Sequence, residues 1–262
     1  MIGDVVGEPG LQILEECLPP FLRENSPDFI MINGENAAAG FGLNPDAARR
    51  ILALGIDIIS GGNHIWEKRD FLSLLDSKEV LRPANYPDGN PGKGWAVIEK
   101  TINGKSKKFI AINLQGRELM SPIDCPFLAF DKIHSSLGET AQTRAPVILV
   151  DFHAESTREK EALGHYIDGR ASVLAGTHTH VQTADEKILP NGTAYITDLG
   201  MTGIADGVIG MEPETCIQRA RKQVLYRMEA AEKGQKKSVQ GIIAEIDAET
   251  AKAARITRFN LS

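Results

Sequence analysis

Histidine and cysteine are both scarce in this 262-residue chain, which has six of the first and three of the second. The three thiols, Cys17, Cys125 and Cys216, stand far apart and are odd in number. That argues against a disulfide framework and against a thiolate zinc site, and leaves reduced, mostly buried side chains. Positive charge is also short, with 29 basic against 35 acidic residues and a net charge of −6, so the broad basic excess of a duplex-binding protein is missing. The local clusters Lys105-Ser-Lys-Lys108 and 219–237 read as solvated faces. No run is long and apolar enough to cross a bilayer. Met1-Ile-Gly-Asp4 lacks the basic and apolar regions of a secretory signal. A cytoplasmic location with no membrane partner is therefore expected. Without repeats, low-complexity tracts or a linker-like shift, one domain over 1–262 is expected.

What the chain does contain is a series of near-continuously apolar β-type runs: Phe29–Ile32, Ile56–Ile59, Trp95–Ile98, Phe109–Ile112, Val147–Val150 and Ala171–Leu174. Such runs predict a sheet covered on both faces. Asn44-Pro45-Asp46 opens a helix that runs to Leu54-Gly55, with a cap residue and then proline in the first turn. Glu67–Leu75 and Ser156–Leu163 also read as amphipathic helices. Asn103-Gly104 and Asn191-Gly192 each predict a hairpin, which makes the sheet mixed, and Val239–Ile246 with Ala254–Phe259 read as two closing strands.

The polar ends of five runs share a chemistry. Gly3-Asp4, Asn33-Gly-Glu-Asn36, Gly61-Gly-Asn-His64, Asp151-Phe-His153 and Gly176-Thr-His-Thr-His180 each supply a group able to bind metal. Ligands in open α/β sheets gather at the carboxyl ends of strands, so these loops could converge. Each motif alone reads as readily as a turn or a satisfied core residue. The pair His178 and His180 says more: in an extended segment two residues apart share one face, so both imidazoles would address one side. Together the loops offer three imidazoles, two carboxylates and one or two amide oxygens, a donor set suited to iron, manganese or zinc. Six or seven donors exceed what one tetrahedral ion needs, and two ions sharing a carboxylate are the economical arrangement. Such a pair serves phosphate-ester cleavage, for which His64, beside Asn63, would protonate the leaving oxygen.

At this point the chain resembles the calcineurin-like metallophosphoesterases, and more closely their YmdB-like branch. The resemblance rests on "GDVVGEPG" from Gly3, "INGENAA" from Ile32, "GGNHIWEK" from Gly61, "RPANYPDGNPGKG" from Arg82, "INLQGR" from Ile112, "DFHAE" from Asp151, "LGHYIDGRAS" from Leu163, "GTHTHVQTAD" from Gly176 and "TDLGMTGIADGVIGM" from Thr197. It implies a four-layer α/β/β/α sandwich with mixed sheets and a dinuclear centre. By the same resemblance Asp4, Glu35 and His180 hold one metal, and Glu35, Asn63, His153 and His178 the other, with Asn36 beside them and His64 as the catalytic acid. Two divalent or mixed-valence transition ions are implied, iron first, with manganese or zinc as alternatives. The implied activity is hydrolysis of small phosphodiesters, including 2′,3′-cyclic nucleotides.

Two departures from the wider superfamily stand out. Val5-Val6 follow Asp4 where Asp-x-His is usual, and Asn33-Gly-Glu-Asn36 replaces an Asp-rich motif; both changes are shared with the YmdB-like branch. Only Met1-Ile2 precede Gly3-Asp4, so a truncated start or a very short first strand, with weaker anchoring of Asp4, is expected. Arg82, Arg117 and Arg170 are candidates for gripping phosphate oxygens. The glycine-rich segment Gly200–Gly210, with Asp206 inside it, is a candidate pocket wall or subunit contact, and a homo-oligomer is allowed for. "GNPGKG" from Gly89 lacks the serine or threonine of a phosphate loop. Hydrolysis of phosphomonoesters, or metal-loaded regulation with little turnover, are the alternative functions.

Overall fold

The computed structural model describes residues 1–138 and 145–262. In chain order its strands and helices are β1 (Asp4–Val5), α1 (Gly7–Asn25), β2 (Met31–Asn33), α2 (Pro45–Ala53), β3 (Ile58–Ser60), β4 (Trp95–Ile102), β5 (Lys105–Gln115), α3 (Pro126–Ser136), β6 (Val147–His153), α4 (Thr157–Ile167), β7 (Val173–Thr177), β8 (Lys187–Ile188), β9 (Ala194–Ile196), β10 (Met201–Ile204), α5 (Pro213–Lys222), β11 (Lys237–Ile246) and β12 (Ala253–Leu261). One sheet has the order β4-β5-β6-β7-β9-β8, parallel through β5, β6, β7 and β9 and antiparallel at both edges. The other is built from β1-β10-β11-β12 and the parallel pair β2-β3, joined by bridges from Ile2 to Ile32 and to Gly241.

Three apolar layers order these sheets. Leu11, Leu14 and Leu18 of α1 and Ala47, Ala48 and Ile51 of α2 pack on Val5, Ile32, Ile59 and Val239 on the outside of the second sheet. Phe130 and Ile133 of α3 and Leu163 and Ile167 of α4 cover Ile112, Val150 and Leu174 on the outside of the first. Between the sheets, Met31 and Ile58 meet Ala111 and Leu149, and Val173 and Ile196 meet Ile242. The result is a four-layer α/β/β/α sandwich with mixed sheets, as the resemblance implies.

Local chemistry explains most boundaries. Asn44 caps α2 by accepting the Ala47 N–H at 2.8 Å, and Ser156 caps α4 through Glu159 N–H, each removing an otherwise unpaired donor. Asn103 and Gly104 both have positive φ, 49° and 74°, the conformation a tight two-residue hairpin between β4 and β5 requires. Two expectations need correction. Glu67–Leu75 does not form an α-helix: the segment is a short 3-10 turn over Arg69–Leu74, too few residues to offset the cost of starting a regular helix. And the longest helix, α1, arises where no helix is expected, despite Pro19 and Pro20 inside it. Both prolines lie away from the core, and the buried stripe Leu11, Leu14 and Leu18 carries the helix.

Candidate metal centre

The functional loops leave the sheets at neighbouring strand ends. Asp4 lies in β1; Asn33 ends β2 and Glu35 and Asn36 follow in the turn; Ser60 ends β3 before Gly61–His64; His153 ends β6; and Thr177 ends β7 before His178 and His180. Asp4, Asn33, Glu35, Asn36, His153 and His180 are all buried. Close backbone approach is enforced at two glycines. A Cβ on Gly62 would stand 2.2 Å from Glu35 Oε2, and one on Gly176 would stand 1.8 Å from Thr197 O.

Around the Nε2 atom of His153, polar atoms of three other residues crowd together. Glu35 Oε1 is at 2.9 Å, His178 Nδ1 at 3.0 Å and Asn63 Oδ1 at 3.1 Å. One ligand atom each from Glu35, His153 and His178 can be chosen so that all lie within 4.8 Å of one another. Beside them, His180 Nε2 lies 3.7 Å from Asp4 Oδ1 and 3.2 Å from Asn36 Nδ2, which in turn is 3.3 Å from Glu35 Oε1. Glu35 thus stands between two groups of donors. Among the described residues Asp4 Oδ1 and Asn36 Oδ1 have no hydrogen-bond partner though buried, which costs free energy unless something else satisfies them.

The far side of every histidine is pinned. Thr177 Oγ1 donates to Asp151 Oδ1 at 2.6 Å, so its lone pair is left to accept from His153 Nδ1 at 3.0 Å. His178 Nε2 faces Glu155 Oε2 at 3.1 Å, and His180 Nδ1 donates to the Ile209 carbonyl at 2.8 Å. In each case an N–H is held outward and the other nitrogen faces the centre. Asp151 also accepts from Asn33 Nδ2 at 3.0 Å and from Ser60 Oγ. Lone pairs from imidazole, carboxylate and amide oxygen facing one another, with orphaned acceptors beside them, fit a first-row transition ion.

The electrostatics agree. Burial, reinforced by neighbouring His153, lowers His178 to a pKa of about 3, so its ring is neutral. Burial opposes the charged His180, yet the neighbouring Asp4 carboxylate, its Oδ1 3.7 Å from Nε2, raises it to about 9, while Asp4 falls to about 2 despite its own burial. A cation at this place must displace that proton. Burial raises Asp151 to about 6, against the pull of His153 and its three donors.

The six residues Asp4, Glu35, Asn63, His153, His178 and His180 are brought together, with Asn36 among them. Their arrangement corrects one expectation. Strand β7 stops at Thr177, and His178 and His180 have φ of 98° and 62°. They do not share a face of an extended segment; their rings diverge, one to His153 and the other to Asp4. His64 stands at the rim: its backbone N–H donates to Glu35 Oε2 at 3.1 Å, its Nδ1 faces Glu67 Oε1 at 3.3 Å, and its ring meets Phe41 edge-on at 4.9 Å.

The arginines are not brought into the centre. Arg170 sits before β7, at the strand end opposite His178, where it binds Asp131 at 2.7 Å and lies over Tyr166. Arg82 donates to the Pro83 carbonyl, and Arg117 is exposed just beyond β5. The Gly200–Gly210 segment contains β10 and, through Ile209, borders His180. Sequence reasoning missed Asn33, Ser60, Thr177 and Glu155 as supports of the centre. The alternation of Asp151 and His153 along β6 was the one available signal, since residues two apart in a strand share a face.

The family described as YmdB-like protein matches residues 1–259. A 2′,3′-cyclic-nucleotide 2′-phosphodiesterase of Bacillus subtilis (strain 168) is 47% identical over 259 residues, 98% of this chain and 94% of that protein. A putative phosphatase/phosphodiesterase of Mycoplasma pneumoniae is 32% identical, covering 97% of this chain and 89% of its own. Among solved structures, a Mycoplasma pneumoniae phosphatase superposes with a TM-score of 0.89 at 31% identity, over 99% of this chain and 91% of the other. A hypothetical protein from Thermus thermophilus does so with a TM-score of 0.85 at 39% identity, over 99% and 96%. No described helix is long and apolar enough to cross a membrane.

Proposed function

The chain belongs to the YmdB-like protein family, and on that premise we propose that it is a metal-dependent phosphodiesterase acting on small phosphodiesters such as 2′,3′-cyclic nucleotides. The observation that carries this reading is the crowding of Glu35 Oε1, Asn63 Oδ1 and His178 Nδ1 about His153 Nε2 at 2.9–3.1 Å, next to the orphaned oxygens of Asp4 and Asn36. Asp4, Glu35, Asn36 and His180 would hold one ion, and Glu35, Asn63, His153 and His178 the other, with Glu35 shared. The donor set suits iron, manganese or zinc alike, and it is the family resemblance that puts iron first. Bound there, such ions neutralise charge on a phosphoryl oxygen and lower the pKa of water.

The chain's own residues do the rest. Glu67 Oε1 faces His64 Nδ1 at 3.3 Å and Phe41 packs against the ring, so it is the doubly protonated ring that would offer its Nε2–H to the leaving ribose oxygen. That oxygen departs as a hydroxyl when the P–O bond breaks. Of the candidate arginines, Arg117 is exposed just beyond the carboxyl end of β5 and would be the one to meet an extended substrate, whereas Arg170 is engaged by Asp131. The test is hydrolysis of 2′,3′-cyclic AMP and of bis(p-nitrophenyl) phosphate, compared with a phosphomonoester, with and without manganese or iron. Diester cleavage that needs the metal is expected, and the absence of diester turnover with every metal would overturn the reading.

A further inference from the structure

One layer behind the histidines lies a buried ion pair that the chemistry above does not use. Lys160 Nζ, on α4, donates to Asp198 Oδ2 at 2.7 Å, and their side chains are 1% and 0% exposed. The same oxygen accepts the Thr179 backbone N–H at 3.2 Å and its hydroxyl at 2.8 Å, and Oδ1 accepts Gly200 N–H at 2.9 Å. The backbone of Asp198 is clasped to Thr183 as well, donating to its Oγ1 at 2.9 Å and accepting its N–H at 3.1 Å. Thr179 is the residue between His178 and His180, both of which hold positive φ. Non-glycine residues keep such backbone only where their surroundings over-determine it.

We propose that Asp198, held by Lys160, is a positioning residue for both histidines. By fixing Thr179 from below, it makes the rings on either side point apart, His178 Nδ1 toward His153 and His180 Nε2 toward Asp4. An amide could satisfy the Thr179 N–H and hydroxyl, and burying two charges carries a desolvation cost that a well-packed apolar pair would avoid. The charged clamp gives a stiffer anchor because one carboxylate oxygen gathers three donors. Gly176 lets the lysine reach it, since a Cβ there would stand 2.9 Å from Lys160 Cδ. The inference rests on the metal reading of the centre.

Manganese(II) titration followed by electron paramagnetic resonance reads the proposal without any turnover. Three proteins are compared: wild type, Thr179→Val, which keeps shape and backbone while deleting one bond to Asp198, and Asp198→Asn, which leaves Lys160 unneutralised. Circular dichroism fixes a temperature at which each is folded; should Asp198→Asn not fold, Thr179→Val alone decides. Manganese affinity is expected to fall about 10-fold in Thr179→Val and further in Asp198→Asn, in keeping with other outer supports of metal ligands. If wild type binds manganese and the folded variants bind it within about twofold of wild type, well short of the loss such supports cause, the clamp is structural only and the proposal is overturned. If wild type binds none, the metal reading itself falls and takes this inference with it.

Discussion

Glu155 Oε2 lies 3.1 Å from His178 Nε2, so a half-exposed surface carboxylate determines which nitrogen of a histidine faces the centre. Replacing Glu155 by alanine removes that anchor and little else. Manganese affinity should drop about 10-fold, while Tm moves by no more than about 2 °C, as expected for a surface position. Isothermal titration alongside thermal unfolding separates the two.

Asp151 is a different case because it is buried and accepts from Ser60, Thr177 and Asn33. In Asp151→Asn an amide N–H faces one of those donors, which costs about 2–3 kcal/mol. Unfolding of the metal-free variant should come about 5–10 °C lower. Metal affinity should fall too, since Thr177 no longer has to orient its lone pair at His153 Nδ1.

His64→Ala and His180→Ala should fail for different reasons. The first removes a proton donor and keeps the backbone N–H that binds Glu35, so kcat on 2′,3′-cyclic AMP should fall about 10²–10⁴-fold with metal content unchanged. The second removes a donor from the Asp4 side, so metal content should fall along with activity. Elemental analysis of the purified proteins distinguishes them, and equal metal loss in both would contradict the assignment of His64.

Gly62→Ala pushes a methyl carbon to within 2.2 Å of Glu35 Oε2 and 2.5 Å of His153 Nε2. Neither neighbour is free to retreat, because His153 is pinned through Thr177 and Glu35 accepts the His64 N–H. Metal binding should be lost in a protein that still folds, as judged by circular dichroism.

Arg50 joins α1 to α2 by gripping Glu15 through two bonds of 2.8 and 2.9 Å and Glu8 through two of 2.8 and 3.0 Å. Hydrogen bonds from the guanidinium hold both carboxyl groups below the ordinary glutamate value of 4.5. A depressed folded pKa means the contribution is complete above 4.5 and is lost as pH falls through the folded values. Arg50→Met should therefore cost about 1 kcal/mol at neutral pH, given the partial exposure of the pair, and should weaken the fall in stability below about pH 4.5. Urea unfolding at about pH 7 and about pH 3, on either side of that range, measures both.

The sequence by itself determined much of this protein. Apolar runs such as Val147–Val150 and hairpin signals such as Asn103-Gly104 carry local information, because alternation, turn chemistry and burial on two sheet faces act within a few residues. The ligand types were legible only in combination: Asn33-Gly-Glu-Asn36 or Thr177-His-Thr-His180 alone reads equally as a turn, but five such groups at the ends of apolar runs make a donor set. Helix α1 was not legible, because Pro19 and Pro20 speak locally against a helix that tertiary burial of Leu11, Leu14 and Leu18 sustains. The resemblance already gives His178 and His180 to different ions, but only the tertiary structure decided what turns their rings apart. The two-residue spacing predicts a shared face for an extended chain, but Asp198, itself held by Lys160, grips Thr179, and both flanking residues have positive φ. Backbone sense at that point is set by long-range hydrogen bonds to a buried carboxylate, and no local pattern within the loop itself encodes it.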